Sequence, residues 1–205
     1  TTIEVVGAVS TAYIDMTLET LERFGVEVMY NEGDYSQFYI EGGQSYQPVE
    51  YTIESDWSAA ATIMVAAAIA GEVTIKNIST LSRQADTAIC RALERAGASL
   101  IIEENTITVA HRKLEAFEFD ATQCPDLFPA LVALAAAAEG VSVISGIGRL
   151  RGKESDRGEV LSAEYSKLGI DIELDYDADQ MRVVGGPVTA AEVDSHDDHR
   201  IAMSL

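Results

Sequence analysis

Phe24-Gly25-Val26-Glu27-Val28, Ala96-Gly97-Ala98-Ser99-Leu100 and Leu168-Gly169-Ile170-Asp171-Ile172 each close a helix pattern with glycine and open a strand. Gly25, Gly97 and Gly169 are spaced by 72 residues both times. Glycine just past a helix end lets the chain stop in the left-handed conformation, so each stretch reads as the same joint used three times. Around each joint the periodicity repeats. An amphipathic helix (residues 13–24, 86–96 and 156–168) leads into two strands joined by a short polar turn. The strand pairs are 26–31 with 37–41, 99–103 with 106–110, and 170–175 with 180–184.

Upstream of the second and third joints lie a further strand, an apolar helix and a strand: 51–54, 59–70 and 72–78, then 117–120, 127–138 and 141–147. Each full unit is β-α-β-α-β-β. A third begins with a strand at 191–194 and a helix at 199–205, and the first is present only as its second half. The expectation is an α/β (α+β) lobe of one and a half to two and a half units plus partial ones. Such copies pack about a pseudo-symmetry axis with the helices that are apolar all round nearest to it. The boundary falls in Gly42–Pro48, dividing residues 1–50 from residues 51–205. Thr1 starts inside a strand pattern and Leu205 stops inside a helix pattern, so the chain is read as a fragment.

Bulk composition excludes several functions. The chain has 205 residues, 47% apolar, with 34 acidic against 14 basic residues and a net charge of −20. Sequence-independent nucleic-acid binding needs a broad basic face, and so does docking on anionic membrane. Neither is expected. The longest apolar runs, 59–70 and 127–138, are too short to span a bilayer. Cys90 and Cys124 carry no pairing or metal spacing and read as free thiols in a reducing, cytoplasmic compartment.

Against that charge, one stretch stands out. Arg149-Leu150-Arg151-Gly152-Lys153-Glu154-Ser155-Asp156-Arg157 holds four of the fourteen basic residues. It lies between a strand and a helix, where backbone N–H groups add positive potential, and points to anion binding. Glu154, an acid beside Lys153, adds a group for proton transfer. A plain helix start capped by Ser155 or Asp156 is the alternative. Gly152-Lys153 is not a P-loop, because Ile147 stands at the required earlier glycine and Glu154 at the Ser/Thr.

Three helix starts occupy equivalent places in the repeat: Asp56-Trp57-Ser58, Cys124-Pro125-Asp126 and His196-Asp197-Asp198-His199-Arg200. Asp56 reads as an N-cap. Asp126 reads either as a cap or as a carboxylate at the mouth of the lobe that accepts a hydroxyl proton. The His/Asp run lacks a completing ligand set for a metal, and Arg200 in a first helical turn suits bidentate recognition of carboxylate or phosphate.

Arg151-Gly152-Lys153-Glu154-Ser155-Asp156-Arg157, with Cys124-Pro125-Asp126 before it and Asp198-His199-Arg200-Ile201-Ala202-Met203 after it, resembles the 5-enolpyruvylshikimate-3-phosphate synthase family. Ser10-Thr11-Ala12-Tyr13-Ile14-Asp15-Met16-Thr17 and Gly42-Gly43-Gln44-Ser45-Tyr46 resemble that family too. The resemblance runs from end to end and implies the enolpyruvyl transferase fold, two lobes of three β-α-β-α-β-β units. Residues 1–50 then end the N-terminal lobe, and residues 51–205 are most of the C-terminal lobe.

It implies transfer of an enolpyruvyl group from phosphoenolpyruvate to the 5-hydroxyl of shikimate 3-phosphate, with release of phosphate, in the shikimate pathway of aromatic amino-acid biosynthesis. No cofactor or metal is implied, and a monomer is expected. By position, Asp126 would bind and help deprotonate the hydroxyl with Lys153 beside it. Glu154 would protonate the methylene carbon and take the proton back. Arg157 and Arg200 would clamp phosphoenolpyruvate, and Ser10 and Tyr13 would touch shikimate 3-phosphate. Three departures stand out: Gly152 replaces a larger apolar residue, Arg149 a polar or acidic contact, and Thr11-Ala12 a basic-Pro pair. No role passes to Arg149.

Two further readings stand beside this one. The sister transferase acting on UDP-N-acetylglucosamine shares the fold, though the Lys-Glu-Ser-Asp-Arg loop argues against it. A non-catalytic α/β repeat domain would use the same charges as caps and ion pairs. Convergence of Lys153, Arg157 and Arg200 with Asp126 on one concave face favours the enzyme reading over the non-catalytic one. The chain by itself is expected to be inactive.

Overall fold

The computed structural model describes residues 1–205. The three glycine joints have the same geometry. Gly25, Gly97 and Gly169 have φ of 80°, 82° and 85°. In each, the next residue's N–H returns to a carbonyl five residues back: Val26 to Leu21, Ala98 to Leu93, Ile170 to Tyr165, at 2.9–3.0 Å. That is the Schellman arrangement, which satisfies carbonyls a helix end leaves open. The helices so capped are α1 (Thr11–Arg23), α3 (Ile89–Arg95) and α5 (Arg157–Lys167). The carbonyl just before each glycine also accepts a later N–H: Phe24 from Gln47, Ala96 from Glu115, Leu168 from Thr189.

Each joint serves one antiparallel sheet of the same order. In the first, β1 (Thr2–Glu4) and β2 (Val28–Tyr30) flank β3 (Gln37–Ile40). In the second, β4 (Glu72–Lys76) and β5 (Ser99–Glu103) flank β6 (Thr106–Ala110). In the third, β8 (Gly140–Ser145) and β9 (Asp171–Asp175) flank β10 (Gln180–Gly185), and β7 (Glu118–Asp120) pairs parallel to β8. A parallel strand pair joined through a helix is formed only there.

Two expected strands are absent. Residues 51–54 pair with nothing and are exposed, because Tyr51 packs instead on Phe24, ring centroids 5.8 Å apart, and under the Arg23 guanidinium. Residues 191–194 are held elsewhere as well: the Asp194 N–H goes to Glu164 Oε2 at 2.9 Å and Thr189 is tied to Leu168. The helix expected over 86–96 begins as a 3-10 turn, Ala85–Ala88, ahead of α3. There Gln84 is fixed, accepting the Trp57 N–H and donating to Ser55 O.

The core is one cluster of 40 buried side chains running from Trp57 to Ile201, and none comes from residues 1–50. Its centre is α4 (Phe128–Ala136), in which Phe128, Leu131, Val132, Leu134 and Ala135 are wholly enclosed. A helix apolar all round must be covered on every side. Here α2 (Trp57–Ala70) and α6 (His199–Ser204) pack on it, with β8 and β10. By contrast α1 buries no residue. No helix is long and apolar enough to cross a membrane.

Candidate active site

Packing α2, α4 and α6 together brings their N-terminal ends to one place. Asp56 caps α2, accepting the Ser58 N–H at 2.8 Å. Asp198 caps α6, accepting the Arg200 N–H at 2.9 Å. Asp126 caps nothing. Pro125 opens a 3-10 turn, Pro125–Leu127, before α4, and the carboxylate turns away from the backbone toward basic side chains.

Those side chains come from the Arg149–Arg157 stretch and from α6. Arg157 Nη1 donates to Asp126 Oδ1 at 2.8 Å, and Lys153 Nζ lies 3.1 Å from the same oxygen. Arg200 Nη2 is 3.4 Å from Asp126 Oδ2. Arg157 Nη2 also donates to Glu154 Oε2 at 2.6 Å, and its Nε to Asp198 Oδ2 at 2.8 Å. Ser155 Oγ donates to Asp198 at 3.1 Å. Thus Asp126, Lys153, Glu154, Arg157 and Arg200 form a single network, with Asp198 as a sixth member. Three cations meet three carboxylates.

Within the network the exposures divide the roles. The Arg157 and Asp198 side chains are 1% and 0% exposed, whereas Lys153 is 28% and Glu154 49% exposed. Arg157 is therefore a buried tie among three carboxylates rather than a free clamp. Burial alone would raise the Asp126 carboxyl pKa, but Arg200, Lys153 and Arg157 outweigh it and hold it below the usual carboxylate value. Burial likewise pushes Asp198 up, and its bonds from Arg157 and the Arg200 N–H bring it down.

A second polar contact set joins α1 to this site. Tyr13 Oη donates to Asp86 Oδ2 at 2.7 Å. Burial, with Asp126 and Asp56 nearby, raises the Asp86 carboxyl above its ordinary value; the Tyr13 hydrogen bond and Arg200 oppose this. Ser10 Oγ accepts from Arg149 Nη2 at 2.9 Å, and the Ser10 N–H goes to Gln123 Oε1 at 2.9 Å. The charges of Asp126 and Arg200 act on the Tyr13 phenol, whereas Ser10 contacts Arg149 and Gln123, outside the network.

Other expectations resolve differently. Arg151 leaves the network and lies 4.2 Å over the Tyr176 ring. His196 Nε2 pairs with Glu164 Oε1 at 2.9 Å, while His199 Nδ1 is 3.9 Å from Asp198 Oδ1, so the His/Asp run does not converge on one point. Cys124, next to Pro125, has a thiol pushed up to about 12, mainly by burial, which leaves it inert as a nucleophile. A cleft along α1 and β2, lined by Asp15, Glu19, Glu22, Glu27 and Glu32 against Arg83, has the wrong charge for an anion.

Sequence reasoning gave no role to Asp198, Asp86, Gln123 or Arg149. Asp198 was visible in the repeat, as the counterpart of Asp56. Asp86 reads as an ordinary acid at a helix start, and only the tertiary contact with Tyr13 distinguishes it.

A family model described as EPSP synthase (3-phosphoshikimate 1-carboxyvinyltransferase) matches residues 1–205. A 3-phosphoshikimate 1-carboxyvinyltransferase of Methanosarcina acetivorans is 41% identical, matching 100% of this chain and 48% of its own length. One from Clostridium perfringens is 40% identical over 96% of this chain and 46% of its own. Among solved structures, an EPSP synthase from Acinetobacter baumannii superposes with a TM-score of 0.75 at 31% identity, covering 90% of this chain and 45% of that one. The chain spans about half the length of the curated relatives it matches.

Proposed function

The chain belongs to the EPSP synthase family, and on that premise we propose that the protein carrying it transfers the enolpyruvyl group of phosphoenolpyruvate to the 5-hydroxyl of shikimate 3-phosphate, releasing phosphate. The observation that carries this reading is the single network of Asp126, Lys153, Glu154, Arg157 and Arg200 at the mouth of the lobe. The non-catalytic reading fits less well: a set of separate caps and ion pairs would not gather three cations around one uncapped carboxylate.

The roles follow from exposure and charge. Asp126, kept ionised by its three cations, accepts a hydrogen bond from the substrate hydroxyl and orients it, with Lys153 on the same oxygen. The hydroxyl oxygen adds to the central carbon of phosphoenolpyruvate as its proton passes to Asp126, which later yields it to the departing phosphate, while Glu154, the exposed acid of the network, protonates the methylene carbon. In the elimination Glu154 takes a proton back from that carbon, the double bond re-forms and phosphate departs. Arg200 faces the phosphoenolpyruvate anion. Arg157 acts through the carboxylates it ties together, so its part in anion recognition is indirect.

We further assign residues 1–50 to one lobe and residues 51–205 to the other, supported by a core cluster that starts at Trp57. Ser10 and Tyr13 approach shikimate 3-phosphate across that seam. A cytoplasmic location agrees with two unpaired cysteines.

The test is phosphate release by the protein carrying this chain, with both substrates present. Release that depends on each substrate, and is lost in Glu154→Ala, supports the reading. No substrate-dependent release overturns it. The 205-residue chain alone is expected to release none.

A further inference from the structure

Residues 186–198 lead from β10 to α6 without helix or strand, and this strap delivers Asp198 and Arg200 to the candidate site. Near its end His196 and Asp197 have φ of 52° and 57°, the one adjacent pair of non-glycine residues in the left-handed region. Residues with a Cβ enter that region at a cost, and they stay there where surrounding contacts hold them, often at functional sites. Here the contacts come from Glu164 in α5, whose side chain is 2% exposed. Its Oε2 accepts the Asp194 N–H at 2.9 Å, and His196 Nε2 lies 2.9 Å from its Oε1. Lys167 Nζ supplies the counter-charge, 2.8 and 2.7 Å from the two oxygens. Asp194 Oδ1 in turn takes the His196 N–H at 2.7 Å, and Ser195 O takes the Asp198 N–H at 3.0 Å.

We infer that Glu164, acting with His196, is a positioning residue for the phosphoenolpyruvate site: it fixes the strap and, through the strap, the place of the Arg200 guanidinium. The inference rests on the function proposed above. Two observations carry it. The first is that α5 grips the strap twice. Arg157 holds Asp198, and Glu164, two turns or about 10 Å further along the same helix face, holds Asp194 and His196. The strap is thereby fixed on both sides of the left-handed pair, and so is the start of α6.

The second observation is that the repeated fold has no need of an acid at this place. The position five residues before each glycine joint is Thr20, Ala92 and Glu164 in turn. Ala92 is wholly buried, and the joint at Gly97 forms there with no carboxylate beside it. Only the copy whose following segment ends in Arg200 carries a carboxylate at this position.

Single-turnover kinetics of the protein carrying this chain, with limiting shikimate 3-phosphate and varied phosphoenolpyruvate, test this. His196→Ala, Glu164→Ala and Glu164→Gln are made alone and in an Arg200→Ala background, and thermal melts show whether each is folded. His196 is 43% exposed, so its replacement should leave the fold standing. Small misplacements far from the chemistry can cost about a hundredfold, and half-saturating phosphoenolpyruvate is expected to rise about tenfold in His196→Ala and further in Glu164→Ala. The limiting rate should change by less than about twofold, as for a loss of binding alone. Glu164→Gln keeps an acceptor for the Asp194 N–H and should recover part of the loss. In the Arg200→Ala background the same changes should add nothing, because the group they position is gone. An equal penalty in both backgrounds, the mark of a purely structural role, overturns the inference, and so does unchanged half-saturation in His196→Ala and Glu164→Ala. Should the wild type release no phosphate, the functional reading fails on its own. The positioning is then judged by hydrogen exchange of the Arg200 amide, which is bonded to Asp198 Oδ1: faster exchange in His196→Ala supports it, and unchanged exchange removes it.

Discussion

Arg157 Nε and Asp198 Oδ2 are 2.8 Å apart with both side chains almost wholly buried, and Asp198 also takes the Arg200 N–H. One carboxylate thereby couples the start of α5 to the start of α6. Arg157 sits in the middle of that coupling, so its charge alone does not explain its role.

Arg157→Lys keeps the charge and cannot reach Asp198, Asp126 and Glu154 together. Losing a charge-assisted hydrogen bond costs about 1.5–3 kcal/mol. In a chain of this size each kcal/mol moves the melting temperature by about 2–4 °C. The variant should therefore melt below wild type and bind phosphoenolpyruvate less well. A wild-type melt with weakened binding would show that Arg157 is a direct clamp after all.

Glu154→Gln should separate chemistry from stability. Glu154 is half exposed and its one ion pair is with Arg157, so the fold should tolerate the change. Glutamine keeps a hydrogen-bonding oxygen for Arg157 but cannot deliver a proton. General acid–base groups typically contribute 10²–10⁴-fold, so kcat should fall on the order of a thousandfold with KM little changed. Steady-state kinetics decide it, and near-full kcat would make Glu154 structural.

Glu164 controls acid stability at the other end of α5. Hydrogen bonds from Lys167, His196 and the Asp194 N–H lower its pKa from 4.5 to about 2. A carboxyl depressed by folding stabilises the native state above its unfolded pKa, and that stability is lost as pH falls through the folded value. Glu164→Gln should be less stable than wild type at pH 7, and the gap should close between pH 4.5 and about 2. Parallel melts over the whole range would rule this out.

The excess of 34 acidic over 14 basic residues makes self-repulsion a general term in stability. Salt shortens the screening length from about 10 Å at 0.1 M to about 3 Å at 1 M. The melting temperature should rise steadily between those concentrations of potassium chloride. A flat or falling curve would mean that exposed ion pairs, which salt weakens, dominate instead.

Much of this was legible in residue patterns. The strands at 99–103 and 106–110 were bounded to the residue, because alternation and a polar turn delimit a hairpin locally. The glycine joints were legible for the same reason. The strands expected at 51–54 and 191–194 were not found, since their alternation is real but Tyr51 and Asp194 are claimed by α1 and by Glu164. In the site, residue type and spacing found the charged groups, yet not their exposure. Arg157 and Arg200 look alike as letters, and only packing buries one of them.

The three capping positions have a consequence for how such a site arises. Asp56 and Asp198 each close the end of a helix, and Asp126, at the equivalent place, is freed from that duty by the tight turn at Pro125. A lobe made of copies carries spare versions of every structural residue. One copy can take another use while its siblings keep the architecture standing, so the carboxylate proposed to act on the substrate hydroxyl occupies a position the repeated fold already supplies.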